Sequence, residues 1–301
     1  MVSILILVYS SNTTRKTSPV YSTKSTPDVN FDYPVQDWNS NLTHSLNISK
    51  DNLNITDLVS NTTVQVKTDK KQTNLISIHM TDFQIYVKDS KGHCYEIINV
   101  LENNPEICQL NISSIKSVSC GAAHTLLLDE DGVVYSFGDG SRGQLGNGTT
   151  ETSTNPDKIP ALMGIDIKAI SAGSWHSAVI TSTDDLYTWG WNDKGQLGFP
   201  SKKNKHNHKE EEVVNILCTP HWLDIPEEEY INNICCGSQH TIALTGSGRI
   251  YGWGLNKYGQ LGFNAESDFV DKPTELIFFR EEELKIINIF ARHWTTIILT
   301  E

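Results

Sequence analysis

The stretch HTLLLDEDGVVYSFG, His124 to Gly138, sets two short apolar runs on either side of the polar connection DEDG. Gly132 supplies the conformational freedom that a tight reversal wants, so the pattern predicts a β-hairpin. The same pattern returns in HSAVITSTDDLYTWG and HTIALTGSGRIYGWG. Each copy closes on an aromatic followed by glycine: Phe137 and Gly138, Trp189 and Gly190, Trp253 and Gly254. The aromatic can fill a core while the glycine permits a sharp exit. A weaker strand is expected in PDKIPALMG and DKPTELIFF, and a further one in IKAISAG and LKIINIF ahead of the next unit. About four short strands per unit is the strand content of a propeller blade.

The units keep a fixed internal phase. Gly121, Gly173 and Gly237 lead them, 52 and then 64 residues apart; His124, His176 and His240 follow three later, and Gly138, Gly190 and Gly254 17 later. Recurrence of this kind marks a repeat architecture. The spacing varies after GQLG, where the insertion around SKKNKHNHKEEE lengthens the second interval by 12 residues, as a surface loop does. The expected fold is therefore all-β, a β-propeller occupying residues 74–301. KGHCYEI at 91–97 reads as a decayed hairpin, because Gly92 and Tyr95 keep the relative spacing of Gly132 and Tyr135.

Gly138, Gly140 and Gly143 satisfy the G-x-G-x-x-G spacing of a phosphate loop, which needs a helix opening at the third glycine. QLGNGTTETSTNP follows instead, and the copies at 190–198 and 254–262 lack the middle glycine. The segment reads better as a structural plug: its enclosing glycines allow tight turns, and Leu145, Leu197 and Leu261 insert between blades. The recurring histidines invite a metal or acid-base reading. A residue used identically in every unit is instead expected to be a structural hydrogen-bonding device. No nucleophile, base and orienting acid stand together, and no metal-ligand spacing occurs, so no catalytic residue, metal or cofactor is expected.

Between Ser10 and Thr63, 26 of 54 residues are Ser, Thr or Asn, too polar to bury a blade core. Residues 1–73 are accordingly set apart as a low-complexity segment, disordered or degenerate. Fewer than the residues of a full seven-bladed ring remain, so the ring has missing or degenerate N-terminal blades, or the sequence omits strands that normally complete the last one. IINIFARHWTTIIL needs a partner strand, and VSILILVY at 2–9 is the apolar run upstream that can supply it. That run has no basic residue before it and no small-residue cleavage site, so it does not read as a signal peptide. No stretch has the roughly 20 apolar residues of a membrane helix. The sequons at Asn41, Asn47, Asn54 and Asn61 are what such a composition produces by chance.

Net charge is −12. Residues 1–73 hold seven Lys/Arg and six acids of the totals of 24 and 36, leaving 17 and 30 and a net of −13 for the repeats. Such a body is repelled by phosphate backbones, so direct sequence-specific nucleic-acid binding is not expected. Lys202, Lys203, Lys205 and Lys209 precede Glu210 to Glu212 and read as a solvated loop. Six cysteines without a C-x-x-C pair fit a reducing compartment, and Cys120 and Cys236, at one repeat position, read as core filler.

The leading CG..HT, the aromatic with glycine and the G.N..GQLG segment resemble the repeats of the regulator-of-chromosome-condensation family. The tail from GWNDKGQLG to FARHWTTIIL is similar to a small divergent member of it rather than to the founding Ran exchange factor. That resemblance implies a nuclear protein without enzymatic activity, partner of a Jumonji-type histone lysine demethylase in chromatin regulation and chromosome segregation, reaching chromatin indirectly. The alternative it implies is a guanine-nucleotide exchange factor for a Ran-like GTPase. Trp175 is similar to a residue of a plant ultraviolet photoreceptor built on these repeats, but the corresponding positions here are Ala123 and Gln239, so no tryptophan cluster is expected.

In a repeat protein, partner specificity comes from positions that differ between units. Between the aromatic with glycine and GQLG, the copies differ at Arg142, Trp191, Asp193, Lys194, Lys257 and Tyr258. These are expected on one face and are the candidate partner-binding residues; the other reading is that they pack only against the neighbouring loop.

Overall fold

A computed structural model describes residues 75–82, 84–98, 106–112, 114–201, 212–262 and 268–301, together with strands 3–7, 35–36, 43–49, 52–57 and 62–67. The basic loop at 202–209 lies outside the described residues. Two compact units divide the chain, residues 27–116 forming one and residues 1–26 with 117–301 the other.

Residues 27–116 carry two antiparallel sheets. Strands β2 (Val35–Gln36), β3 (Thr43–Ser49), β4 (Asn52–Asp57) and β5 (Thr62–Lys67) form one, so a sheet lies within the segment set apart on composition. Strands β6 (Leu75–Met80), β7 (Ile85–Asp89), β8 (Cys94–Ile98) and β9 (Glu106–Gln109) form the other. The hairpin read from KGHCYEI is β7 and β8. Asp89 holds its turn by accepting from the backbone N–H of Lys91 and His93 and from the Tyr95 hydroxyl, as Asp129 does with Asp131, Val133 and Tyr135.

The larger unit holds the three clear repeats. Strands β10 (Ile115–Cys120), β11 (His124–Asp129), β12 (Val134–Gly138) and β13 (Ser153–Lys158) pair in chain order. So do β14 (Ile167–Ala172), β15 (His176–Thr181), β16 (Leu186–Trp191) and β17 (Ile216–Leu223), and then β18 (Ile231–Cys236), β19 (His240–Thr245), β20 (Ile250–Leu255) and β21 (Phe269–Glu275). A last sheet of three described strands joins β22 (Ile286–Arg292), β23 (Thr295–Thr300) and β1 (Ser3–Leu7). The partner strand expected from residues 2–9 is thus in place, with Ser3 opposite Thr300 and Leu7 opposite Thr296.

The strand expected in PDKIPALMG runs instead through STNPDK, and Pro160 to Leu162 make a 3-10 turn. Similarly FVDKPTE is β21, and Phe278–Glu281 of LIFFRE form the short helix α1. Proline explains the first shift: Pro160 has no N–H for a ladder, and its fixed φ suits the first turn of a helix. Pro156, Pro220 and Pro273 all sit in the fourth strands β13, β17 and β21, which lie at the sheet edges where the missing donor costs no ladder bond.

The apolar cores lie between sheets. Leu126, Val134 and Ile167 pack with Val179 and Trp189; Ile180 and Leu186 pack with Ile234, Ala243 and Trp253; Ile242, Ile250 and Leu261 pack with Ile289 and Ile298. Strands β11, β15 and β19 are consequently buried along their whole length. In β23 only alternate residues are buried, and on the adjoining β22 Ile287 and Phe290 are exposed. All six cysteines are free, and burial pushes the Cys236 thiol up to about 12. Among the described residues, no helix is long and apolar enough to cross a membrane, and no group of three or more His, Cys, Asp or Glu could hold a metal ion.

Candidate functional site

The three junctions between the sheets that start at β10, β14, β18 and β22 are each latched by a histidine, a hydroxyl and a glutamine carbonyl. His124 meets the Ser177 hydroxyl at 2.9 Å, His176 meets Thr241 at 2.9 Å and His240 meets Thr296 at 3.0 Å, always through Nε2. Each hydroxyl donates in turn to the backbone carbonyl of the glutamine in the preceding GQLG: Ser177 to Gln144, Thr241 to Gln196 and Thr296 to Gln260. The indole N–H groups of Trp189 and Trp253 donate to the Gln144 and Gln196 carbonyls. Because a carbonyl accepts only, the hydroxyl proton is spent on it, and the histidine must donate from Nε2 and keep the lone pair on Nδ1.

These imidazoles are fully buried. Burial lowers the pKa of His124 to about 4, against a small upward pull from Asp139, and of His240 to about 4. Burial lowers His176 to about 3, its two neighbouring histidines pushing the same way. A neutral ring sealed from solvent serves the junction and has no substrate within reach. The leading glycines Gly121, Gly173 and Gly237 make room for it: a Cβ on any of them would overlap the ring of its own histidine. Gly138, Gly190 and Gly254 have φ of 105, 105 and 98°, and a Cβ there would strike the backbone of the turn that precedes the histidine.

The GQLG leucines Leu145, Leu197 and Leu261 have no exposed surface. The Leu145 carbonyl accepts from Ser136 and the Leu197 carbonyl from Thr188, both buried in the third strand of their own sheets. The amide oxygens of Gln144, Gln196 and Gln260 accept from the backbone N–H of Arg142, Lys194 and Tyr258, two residues earlier. No helix opens at Gly143; the chain passes from β12 through turns to β13, which agrees with rejecting a phosphate loop.

That fixed backbone aims one variable side chain per unit at the following sheet. The Arg142 guanidinium lies 5.1 Å over the Trp191 ring, the Lys194 ammonium 5.9 Å over Phe269, and the Tyr258 ring 6.1 Å from Trp294 in a T-shaped contact. Trp191 also meets Trp175 edge to face at 5.7 Å, Lys257 lies over Tyr258, and Lys194 pairs with Asp193 at 3.2 Å. The six candidate residues thus gather around successive junctions on one rim. Trp191 and Tyr258 belong to different junctions, and Trp175, which the repeat comparison left isolated, is paired.

Trp175, Phe269, Arg292 and Trp294 were not among the candidates. Trp294 belongs to a turn in which Arg292 and Thr295 replace the leading glycine and the histidine, so the sequence gives no repeat signal there. The latch accordingly ends at Thr296. The hydroxyls Ser177, Thr241 and Thr296 had a readable signal, since each directly follows the histidine position.

Residues 87–301 match the family model of the RCC1-like domain. The chain belongs to the RCC1-like domain family. Its sheets are blades of an incomplete propeller of that type. RCC1 domain-containing protein 1 of Mus musculus is 34% identical over 208 residues, which are 61% of this chain and 55% of that protein. The ultraviolet-B receptor UVR8 of Arabidopsis thaliana is 31% identical over 227 residues, 62% of this chain and 51% of that protein. The chain therefore spans about half the length of the curated relatives it matches. The crystal structure of Prp20p from Saccharomyces cerevisiae superposes with a TM-score of 0.69 at 19% identity, covering 86% of this chain and 66% of that one.

Proposed function

We propose that the protein is a non-enzymatic interaction scaffold whose aromatic rim binds a protein partner, a Jumonji-type histone lysine demethylase, in nuclear chromatin regulation and chromosome segregation. One observation carries this reading. Arg142, Lys194 and Tyr258 occupy the same repeat position on the same hydrogen-bonded framework, yet differ in chemistry while each is held against the next blade. A constant scaffold with a varied and preorganised side chain is how repeat proteins encode a partner, and tryptophan, tyrosine and arginine are the types that dominate interface energetics. Packing against the neighbouring loop, the plainer reading of these residues, is what orders them for binding.

The likeness to RCC1 domain-containing protein 1 supports the choice of partner class, and the net negative charge favours reaching chromatin through a protein. The test replaces Arg142, Trp191 and Tyr258 together by Ala and compares demethylase capture from nuclear extract with that of the unaltered protein. Capture should be lost while the melting temperature stays close to that of the parent. Absence of the demethylase from the parent's capture, or equal capture by the folded variant, overturns the reading.

A further inference from the structure

Within residues 117–301 the two rims differ in how their cations are used. One rim carries the hairpin turns and the connections between blades, as Ile167 N–H to Gly132 O and Gly246 N–H to Tyr230 O place them side by side. Most described cations there are consumed by an acid: Lys168 by Asp184, Arg249 by Glu227 and Glu229, Arg280 by Glu275, and Lys285 by Glu301, while Lys158, opposite Tyr135 at the end of β13, is exposed and lies over the Tyr135 ring. Exposed carboxylates remain in excess, among them Glu130, Asp131, Asp166, Glu281, Glu282 and Glu283.

The opposite rim holds the GQLG loops and the turns before the second strands, joined by Trp191 N–H to Trp175 O and Leu255 N–H to Gln239 O. Here Arg142, Lys257 and Arg292 are exposed and make no ion pair among the described residues. Two are set over aromatic rings, Arg142 over Trp191 and Lys257 over Tyr258, and Arg292 ends β22 two residues before Trp294 in sequence. Two of the acids on this rim are spent internally, Asp139 on Ser141 and Gln144 and Asp193 on Lys194. Glu151 and Asp268 are exposed at the approaches to the outer strands β13 and β21.

We infer that this rim binds an acidic linear peptide segment, its carboxylates meeting Arg142, Lys257 and Arg292 while its apolar side chains lie against Trp175, Trp191, Tyr258 and Trp294. This rests on the rim being a partner surface and names the chemistry of what it takes. Charge complementarity selects the partner: a basic segment is drawn to the carboxylate rim, whereas an acidic one finds three unspent cations on the aromatic rim against Lys158 among excess carboxylates on the other. The aromatic rings under Arg142 and Lys257 supply the desolvated contact area that exposed ion pairs lack. Nucleic acid offers the same anionic charge, but its continuous phosphate backbone is repelled by a chain of net charge −12 more strongly than a short peptide is.

The test measures fluorescence anisotropy of a labelled peptide of alternating glutamate and phenylalanine, a matched peptide with lysine for glutamate, and oligothymidylate, all with the full chain. The acidic peptide should bind, more weakly as salt rises. Arg142→Glu with Lys257→Glu and Arg292→Glu should weaken it by about tenfold or more. Lys158→Glu with Arg280→Glu and Lys285→Glu, the same charge change on the other rim, should leave it unchanged. Lys257→Glu alone, which disturbs no inter-blade contact, should weaken it in part, so a folding defect in the triple variant does not decide the matter. Equal loss in both charge-reversed proteins, no preference over the lysine peptide, or tighter oligothymidylate binding overturns the inference. Demethylase capture that still depends on the rim would then leave the partner reading standing without it.

Discussion

His176 and Thr241, 65 residues apart in sequence, join two successive blades through a single 2.9 Å hydrogen bond, and the Thr241 hydroxyl passes its own proton to the Gln196 carbonyl. Thr241→Val removes that relay and leaves a buried imidazole N–H without an acceptor, while Trp253 still serves the carbonyl. The loss should be about 1 to 3 kcal/mol, from the desolvation of an unsatisfied donor. Urea unfolding midpoints check it, with Thr241→Ser expected to lose far less because it keeps the hydroxyl. Equal losses in the two variants would show that the methyl group and not the relay matters.

Acid should destabilise this protein well before its carboxylates titrate. The three ladder histidines have folded pKa values of about 4, 3 and 4, below the ordinary 6.5, so between these limits the unfolded chain binds more protons. Stability is therefore fully present above pH 6.5 and falls as pH drops through this window. Each ring contributes about 2 kcal/mol of loss by pH 5. His176→Gln, which retains an N–H donor and has nothing to titrate, should show a shallower fall between pH 7 and pH 5 in melting temperature; an unchanged slope would contradict the linkage.

Leu197, in the loop between β16 and β17, has no exposed surface, and its carbonyl accepts from Thr188. Leu197→Ala should cost about 2 to 5 kcal/mol, the usual range for a large-to-small change in a packed core. A loss below about half a kcal/mol in denaturant titration would mean that the GQLG segment is held by its backbone bonds alone, since surface changes stay in that range.

Nucleotide exchange offers a functional control. Release of mant-GDP from Ran in the presence of catalytic amounts of the purified protein is expected to remain at background. A hundredfold acceleration, on the order of what true exchange catalysis supplies, would replace the scaffold reading with the regulatory enzyme.

Much of the fold was legible because each blade must solve the same packing problem with the same residues. The hairpins, the leading glycines and the partner strand for Thr295–Thr300 all follow from pattern and spacing. The strand in PDKIPALMG was misplaced because an outer strand tolerates polar residues and proline, so its hydrophobic signal is weak. Of the rim, the sequence exposed the variable positions but not their pairing. That Arg142 would meet Trp191 depends on how far one blade is rotated from the next, which no local pattern records. Trp294 was invisible for another reason: its turn had lost the glycine and histidine by which the other turns are recognised.

The histidine bonds between blades run in one direction, from the imidazole of the earlier blade to the hydroxyl of the later one. Such a junction has a grammar, and copy number can change only in ways that respect it. An additional copy of residues 173–236, spliced in frame after Cys236, would present a hydroxyl to the blade before it and a histidine to the blade after it, and so be accepted at both borders. A copy spliced after Thr300 would meet Thr295 in place of a histidine and Arg292 in place of a glycine, and would have to be held by apolar contact alone. Duplication within this array is thus neutral in the middle and penalised at that border, which makes the number of blades between His124 and Thr296 the quantity that unequal crossing-over is free to vary.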